Sequence, residues 1–412
     1  MSRETLKRMS LAWLFFALMV SGHDSARAQN AERTAALVTE AVELLEQGDL
    51  GAAEVRLTSA LELDKLHVGA NTTLGKLKLL RGEPREAQQY ANVALSKERN
   101  HAEALILLVR AQEGPDQVAS ILKRIEELAN MLRDDPGVQL AHAEALLAAK
   151  KFEPAQAAAT RVLKMRETSV AAMKVLARTY LGLERPVTAE SILLRALEFE
   201  RDAEALCMLA GIRYAEKNVI EARLLVEEAV GASPSFVEGL NSLGAIYAVV
   251  RNWEGAVDVL NRAIALAPKF AEAWLNLGVA QRGAGDFEQA EASWKRVLAL
   301  SPAMGDAWYN LGVLYLENPI EGRDRIKQLT DAINALNAYK EKVGNSDANA
   351  DKFIEEAKIL IKQEEERRTE QLKPPPGDGG GDGSNGDGGD GSNGDGGDGS
   401  NGDDSNDGGD GG

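Results

Sequence analysis

Side chains able to do chemistry are few in this sequence. Its 412 residues hold four histidines, His23, His67, His101 and His142, and one cysteine, Cys207. His101-Ala-Glu-Ala and His142-Ala-Glu-Ala look alike. Neither has the second histidine that a zinc-binding His-Glu-x-x-His helix places four residues on. A lone cysteine cannot form a disulfide within the chain or complete a multi-cysteine metal site. Cys207 reads either as a small packing residue or as a thiol that reacts or pairs between chains. Asn71-Thr72-Thr73 has the form of a glycosylation acceptor, but so short a pattern recurs by chance. Acids outnumber bases, 64 Asp and Glu against 47 Lys and Arg, for a net charge of −17. At that density paired carboxylates arise by chance and read as solvated helix faces before they read as an acid–base pair. The sequence has no Gly-x-Ser-x-Gly elbow and no Walker loop. No catalytic residue, metal ligand or cofactor is assigned, and a non-enzymatic protein is expected. The acidic balance also argues against nucleic acid, whose binders carry a basic stripe.

The elements that would position any site are helical. Aromatics are 5% of residues, while Ala, Leu and Glu are plentiful, which points away from a sandwich or barrel. The two ends read differently. Residues 1–28 have a basic start, an apolar run from Met9 to Val20 and a close at Ala26-Arg27-Ala28. This is the pattern of a secretory signal peptide cut after Ala28. The run is about 12 residues, short of the roughly 20 that span a bilayer, and no other segment is apolar enough to cross one. Residues 373–412 begin Lys373-Pro-Pro-Pro376 and continue in Gly, Asp, Ser and Asn, with Asp382–Gly389 repeated at Asp390–Gly397. A segment with no apolar side chain cannot offset the entropy of ordering, so a disordered acidic tail is expected. An EF-hand is not: Gly386 stands where a ligand is needed and no Glu follows.

Between the ends lies a repeat. Leu240, Leu243, Gly244 and Tyr247 are followed by Ala256, Leu260, Ala263 and Pro268. Thirty-four residues on come Trp274, Leu277, Gly278, Ala290, Trp294 and Pro302, and thirty-four further Trp308, Leu311, Gly312 and Tyr315. Weaker echoes run upstream through Leu206 and Ala222, Met173 and Ala189, Ala143 and Ala155, Leu74 and Ala87, to Leu37 and Ala53. A degenerate unit covers about His101 to Pro136, with Ile121, Ile125 and Leu128 in its second-helix slots. A period of this length is the signature of a stacked array.

These residues resemble the tetratricopeptide repeat (TPR) family, whose pattern is W-x-x-L-G-x-x-Y, A-x-x-x-F-x-x-A, then P. The resemblance implies an all-α, right-handed α-solenoid of about eight to nine helix pairs. The boundaries are a signal peptide at 1–28, the solenoid at 29–318, a C-terminal helical cap at 319–372 and the tail at 373–412. Small residues such as Ala263, Gly278 and Ala290 stand where helices approach, and large ones such as Leu260, Trp274 and Leu277 fill the spaces. The four tryptophans Trp253, Trp274, Trp294 and Trp308 read as core. Pro268 and Pro302 end second helices, and Gly285-Asp286 supplies a tight turn.

In this family the first helices line a concave groove, and an Asn two residues after the Trp slot often bonds an extended ligand. Asn276 and Asn310 match that place, with Ser242 in the preceding repeat. An amide can pair a peptide N–H and C=O together; the alternative is a surface Asn bonded to water. Glu238, Glu272 and Asp306 stand two residues before the Trp slot, where family members that clamp carboxylate tails use Lys and Arg. The expected partner is therefore an extended neutral or basic protein segment. The block Asp324–Val343 and the helix after it resemble the TPR protein of adventurous-gliding-motility machinery. Together with the signal segment, this implies an exported scaffold in a cell-envelope assembly of motility, pilus or secretion type, periplasmic or outer-membrane-associated, with a secreted protein as the alternative location. The alternative is a soluble periplasmic module that holds clients transiently.

Overall fold

A computed structural model describes residues 28–344 and 347–372; the expected tail, and the expected signal segment apart from Ala28, lie outside them. The described residues are helices joined by short loops. The first is α1 (28–46). Then follow α2 (Leu50–Leu63), α3 (Val68–Leu80), α4 (Pro84–Lys97), α5 (Ala102–Arg110), α6 (Pro115–Met131) and α7 (Pro136–Ala148). Next are α8 (Phe152–Met165), α9 (Val170–Gly182), α10 (Pro186–Phe199), α11 (Ala203–Ala215), α12 (Val219–Ala232) and α13 (Val237–Val249). The chain continues with α14 (Trp253–Leu266), α15 (Ala271–Ala284), α16 (Phe287–Leu300), α17 (Gly305–Glu317), α18 (Arg325–Val343) and α19 (Ala348–Gln371). Odd and even helices pack in pairs, and each first helix also touches the next. The array forms one compact unit through Glu364.

The pairing rests on small residues facing large ones. A Cβ on Gly244 would lie 2.4 Å from Leu260, on Gly278 2.4 Å from Trp294, and on Gly312 2.6 Å from Leu336. The fit between these helices leaves no room for one more methyl. Leu260, Trp294 and Leu336 are wholly buried. Trp294 also donates its indole N–H to the Leu275 carbonyl at 3.1 Å. Trp253, Trp274 and Trp308 are only half-buried. Leu336 belongs to α18, so α18 sits on α17 as a second helix sits on a first, although its letters depart from the pattern. Ile354 and Ala357 of α19 then bury against these last helices.

The turns repeat as faithfully as the cores. Gly48, Gly82, Lys150, Glu184, Lys217, Arg251 and Gly285 all have positive φ, between 56° and 92°. Each is followed by an amide that reaches back to a carbonyl five residues earlier, as Lys151 to Leu146 and Asn252 to Tyr247 do. That closes the helix end with a left-handed residue. The degenerate pair α5/α6 lacks such a turn. Its first helix has nine residues, and α6 leans on α7 more than on α5. Gln139, wholly buried, donates to the Ala129 and Leu132 carbonyls and closes the end of α6. Gln328 does the same for α17 through Tyr315 and Asn318.

Two of the histidines and the glycosylation-like tripeptide find structural roles. His67 and His101 cap α3 and α5, their Nδ1 atoms accepting from Ala70 and Ala104. Such caps satisfy amides left open in the first turn. Asn71 is 2% exposed and donates to the Lys65 and His67 carbonyls, so it is not presented as an acceptor.

Two expectations follow. Four turns hold a side chain in the left-handed region at about 1–2 kcal/mol each, and glycine would restore only about 0.5–1 kcal/mol of backbone entropy. Lys150→Gly, Glu184→Gly, Lys217→Gly and Arg251→Gly should each raise the urea midpoint; lower midpoints throughout would contradict the turn assignment. The second concerns Glu291. Burial alone would raise its pKa, but hydrogen bonds from Arg323, Lys295 and Tyr315 outweigh it and hold the carboxyl at about 2, from 4.5. Its stabilising contribution is complete above the ordinary carboxylate pKa and lost as pH falls towards about 2. Glu291→Gln should flatten the stability profile across that interval, measured by urea unfolding at a series of pH values.

Candidate functional site

The first helices line the concave side, and the expected site residues separate on it. Glu238, Glu272 and Asp306 are exposed in the opening turns of α13, α15 and α17. Ser242 turns its hydroxyl back to the Glu238 carbonyl at 2.8 Å, so it is engaged within its own helix. Asn276 donates to the side-chain oxygen of Asn241 at 2.9 Å, which ties α15 to α13. Asn310 lines a cavity of about 500 Å³ with Trp253, Val279, Arg282 and Asn318. The Arg282 guanidinium donates to Asn318 across that cavity at 3.3 Å. Asn276 and Asn310 thus occupy successive first helices, α15 and α17, without bonding to one another. Asn241 is the partner that the sequence pattern did not single out. Its only signal is its place in α13, one residue before Ser242.

A second concave region, spanning pairs two to eight, was not legible as a site. Its cavity is about 1040 Å³, and its wall includes Lys76, Arg110, Glu144, Lys174 and Glu238. Glu144 is 6% exposed and accepts from Arg110 at 2.9 Å and Arg178 at 2.6 Å. Lys174 is 2.9 Å from both Asp202 and Glu204. Lys76, Arg110, Glu144 and Arg178 are spaced by 34 residues. The signal was therefore a charge recurring in one slot of successive repeats. Cations oppose the acids here, unlike the acidic row at Glu238, Glu272 and Asp306.

Cys207 is half-buried on α11 beside this region. Burial first, then Glu238, Glu204 and Asp202, push its thiol up to about 12. The thiolate needed for nucleophilic or redox work is scarce at neutral pH, which favours packing. Among the described residues no three His, Cys, Asp or Glu are placed to hold a metal, and no helix is long and apolar enough to cross a membrane.

Comparison with known proteins agrees with the repeat geometry. Models of the tetratricopeptide repeat match residues 44–112, 259–292 and 280–347. The chain is a tetratricopeptide repeat protein. The repeat matches and the fold support a protein-interaction scaffold. A model of the ChAPs (Chs5p-Arf1p-binding proteins) matches residues 142–270 of the array. Among solved structures, the array resembles one in the APC/C hetero-tetramer Cut9-Hcn1, with TM-score 0.59 and 16% identity over 76% of this chain. The match spans 60% of that longer chain. It also resembles the human IFIT1 dimer with PPP-AAAA, with TM-score 0.51 and 16% identity over 82% of this chain and 87% of that one. At such identity the likeness is of the fold. No curated protein matches the sequence.

The Glu144 cluster carries the prediction for this TPR surface. Glu144→Ala would leave Arg110 and Arg178 facing each other without their shared carboxylate. Breaking a largely buried pair from one side costs about 3–5 kcal/mol, less here because both arginines reach solvent. A loss of about 2 kcal/mol on urea unfolding, partly recovered in high salt by screening, is expected.

Proposed function

We propose that the protein is an exported scaffold of a cell-envelope assembly that grips an extended segment of a partner protein in the groove of its last three helix pairs. The observation that carries the reading is the Asn241–Asn276 amide pair beside the Asn310 cavity. The bond uses one N–H of Asn276 and the oxygen of Asn241. The Asn276 oxygen and the Asn241 amide N–H₂ retain capacity to accept from and donate to a peptide unit. Asn310, one pair further on, and Arg282, on the same helix as Asn276, offer the next polar contacts. Glu238, Glu272 and Asp306 along the rim favour a neutral or basic segment over an acidic tail. Export and the envelope setting rest on the composition of residues 1–28 and on the likeness of Asp324–Val343 to the gliding-motility protein. A motility, pilus or secretion machine is the setting this suggests, with the protein periplasmic or at a membrane surface.

The test is crosslinked co-purification of the mature protein from its native envelope, followed by affinity measurement with the partner recovered. Asn276→Ala with Asn310→Ala should weaken that complex at least tenfold, since each lost amide contact removes about 1 kcal/mol or more, while the melting temperature holds. Unchanged affinity would remove the groove from the account. Many weak partners in place of a dominant one would favour a client-holding module.

A further inference from the structure

The first two pairs of the array touch the seventh. Ser235, in the loop between α12 and α13, donates its hydroxyl to the Leu45 carbonyl at the end of α1, 3.0 Å away across 190 residues of sequence. Apolar contacts cross the same line: Leu266 of α14 packs on the core of the first two pairs, and Leu80 of α3 on the core of pairs six to eight. Gly82, in the turn between α3 and α4, lies against Lys269, in the loop between α14 and α15. A Cβ on Gly82 would come 2.8 Å from the Lys269 Cβ.

The seam, more than the turn, requires glycine at position 82. Its φ is +72°, but the corresponding slots of later pairs hold Lys150, Glu184, Lys217 and Arg251 at φ of 56°, 59°, 65° and 61°. The turn therefore accepts a side chain, at the cost of some strain. What position 82 lacks is space, because Lys269 fills it. Gly48 stands in the same slot one pair earlier, at φ +83°, and a Cβ there would meet nothing within 4 Å.

Charge acts in the same direction. In the first two pairs Glu54, Glu83 and Glu86 surround Lys78 at 2.9, 3.2 and 3.2 Å, and Glu54 also pairs with Arg81. Three carboxylates thus face two cations. Lys269, 3.6 Å from Glu83, is the third cation, and it comes from the other side of the seam. Closure balances the cluster. The Lys269 side chain is half-exposed, and an ion pair at such exposure is weak and screened by salt. The bonds that hold the seam are few: a hydroxyl bond, this ion pair and two leucines.

We propose that the seam is a salt-sensitive latch, through which the array passes between a closed form, with pair two against pair seven, and an open form in which the two sides part. The 1040 Å³ cavity draws its wall from both sides, Leu79 and Leu80 from one and Ala267 and Phe270 from the other. The latch therefore sets whether that space is enclosed or laid open.

The test uses the full chain with Cys207→Ser and spin labels on Thr58→Cys of α2 and Asn261→Cys of α14, both exposed positions. Double electron–electron resonance reads the distance between them. At about 0.05 M salt one short distance should dominate. At about 1 M, where the screening length falls to about 3 Å, a longer one should join it. Gly82→Ala should raise the ratio of open to closed at least about fivefold, because the closed seam has no room for the methyl. Gly48→Ala puts the same side chain in the same turn slot with open space around it, and should leave the distances as they are. Lys269→Met keeps the stem and removes the charge. It should raise the open form about two- to fivefold and diminish the salt response. One unchanging distance in every variant and at both salt concentrations would show a fixed joint and overturn the latch. Gly82→Ala behaving as Gly48→Ala does would overturn the role of the Gly82–Lys269 contact. A salt response undiminished in Lys269→Met would overturn the ion pair as its source.

Discussion

Everything in this molecule depends on how closely two helices of a pair can approach. Gly244 under Leu260, Gly278 under Trp294 and Gly312 under Leu336 each leave no space for a Cβ. A small residue on the first helix lets a large one on the second reach the helix backbone, and the dense contact that results is the core of the pair. No pair buries its apolar face alone, so the same geometry must recur for the array to be stable. Recurrence then sets the angle from one pair to the next, and the accumulated angle brings Lys269 to Gly82.

The departures from the pattern have local causes. The third pair has a nine-residue first helix and no left-handed turn, and α6 turns to α7 for its packing. Buried Gln139 closes the end of α6 through the Ala129 and Leu132 carbonyls. At the other end Gln328 and Arg325 satisfy the last carbonyls of α17 and let α18 fold back over it. In both places a buried side chain takes the role of backbone turn chemistry, because exposed carbonyls at a helix end must find a donor.

The concave side divides by charge. Over the last pairs it offers amides beneath an acidic rim, suited to hydrogen bonding with a peptide backbone. Over pairs two to eight its charges meet in cross-helix clusters such as Arg110–Glu144–Arg178. Those clusters tie successive first helices together.

Sequence alone determined the repeat, its 34-residue period, the pairs of small and large residues and the glycine turn at Gly285. All of these are local requirements that a residue type must meet wherever it stands. It could not mark Lys150, Glu184, Lys217 or Arg251 as left-handed, because the side chains there carry no preference for that backbone and the packed pair imposes it. Nor could it show that Asn276 bonds Asn241, that Ser242 turns inward, or that Arg110 and Arg178 share Glu144. Those partners lie on neighbouring helices, and which side chains meet depends on the crossing of the pairs. The closure at Gly82 and Lys269 is decided by tertiary structure alone, since it is the sum of small rotations over six pairs and no single residue encodes it.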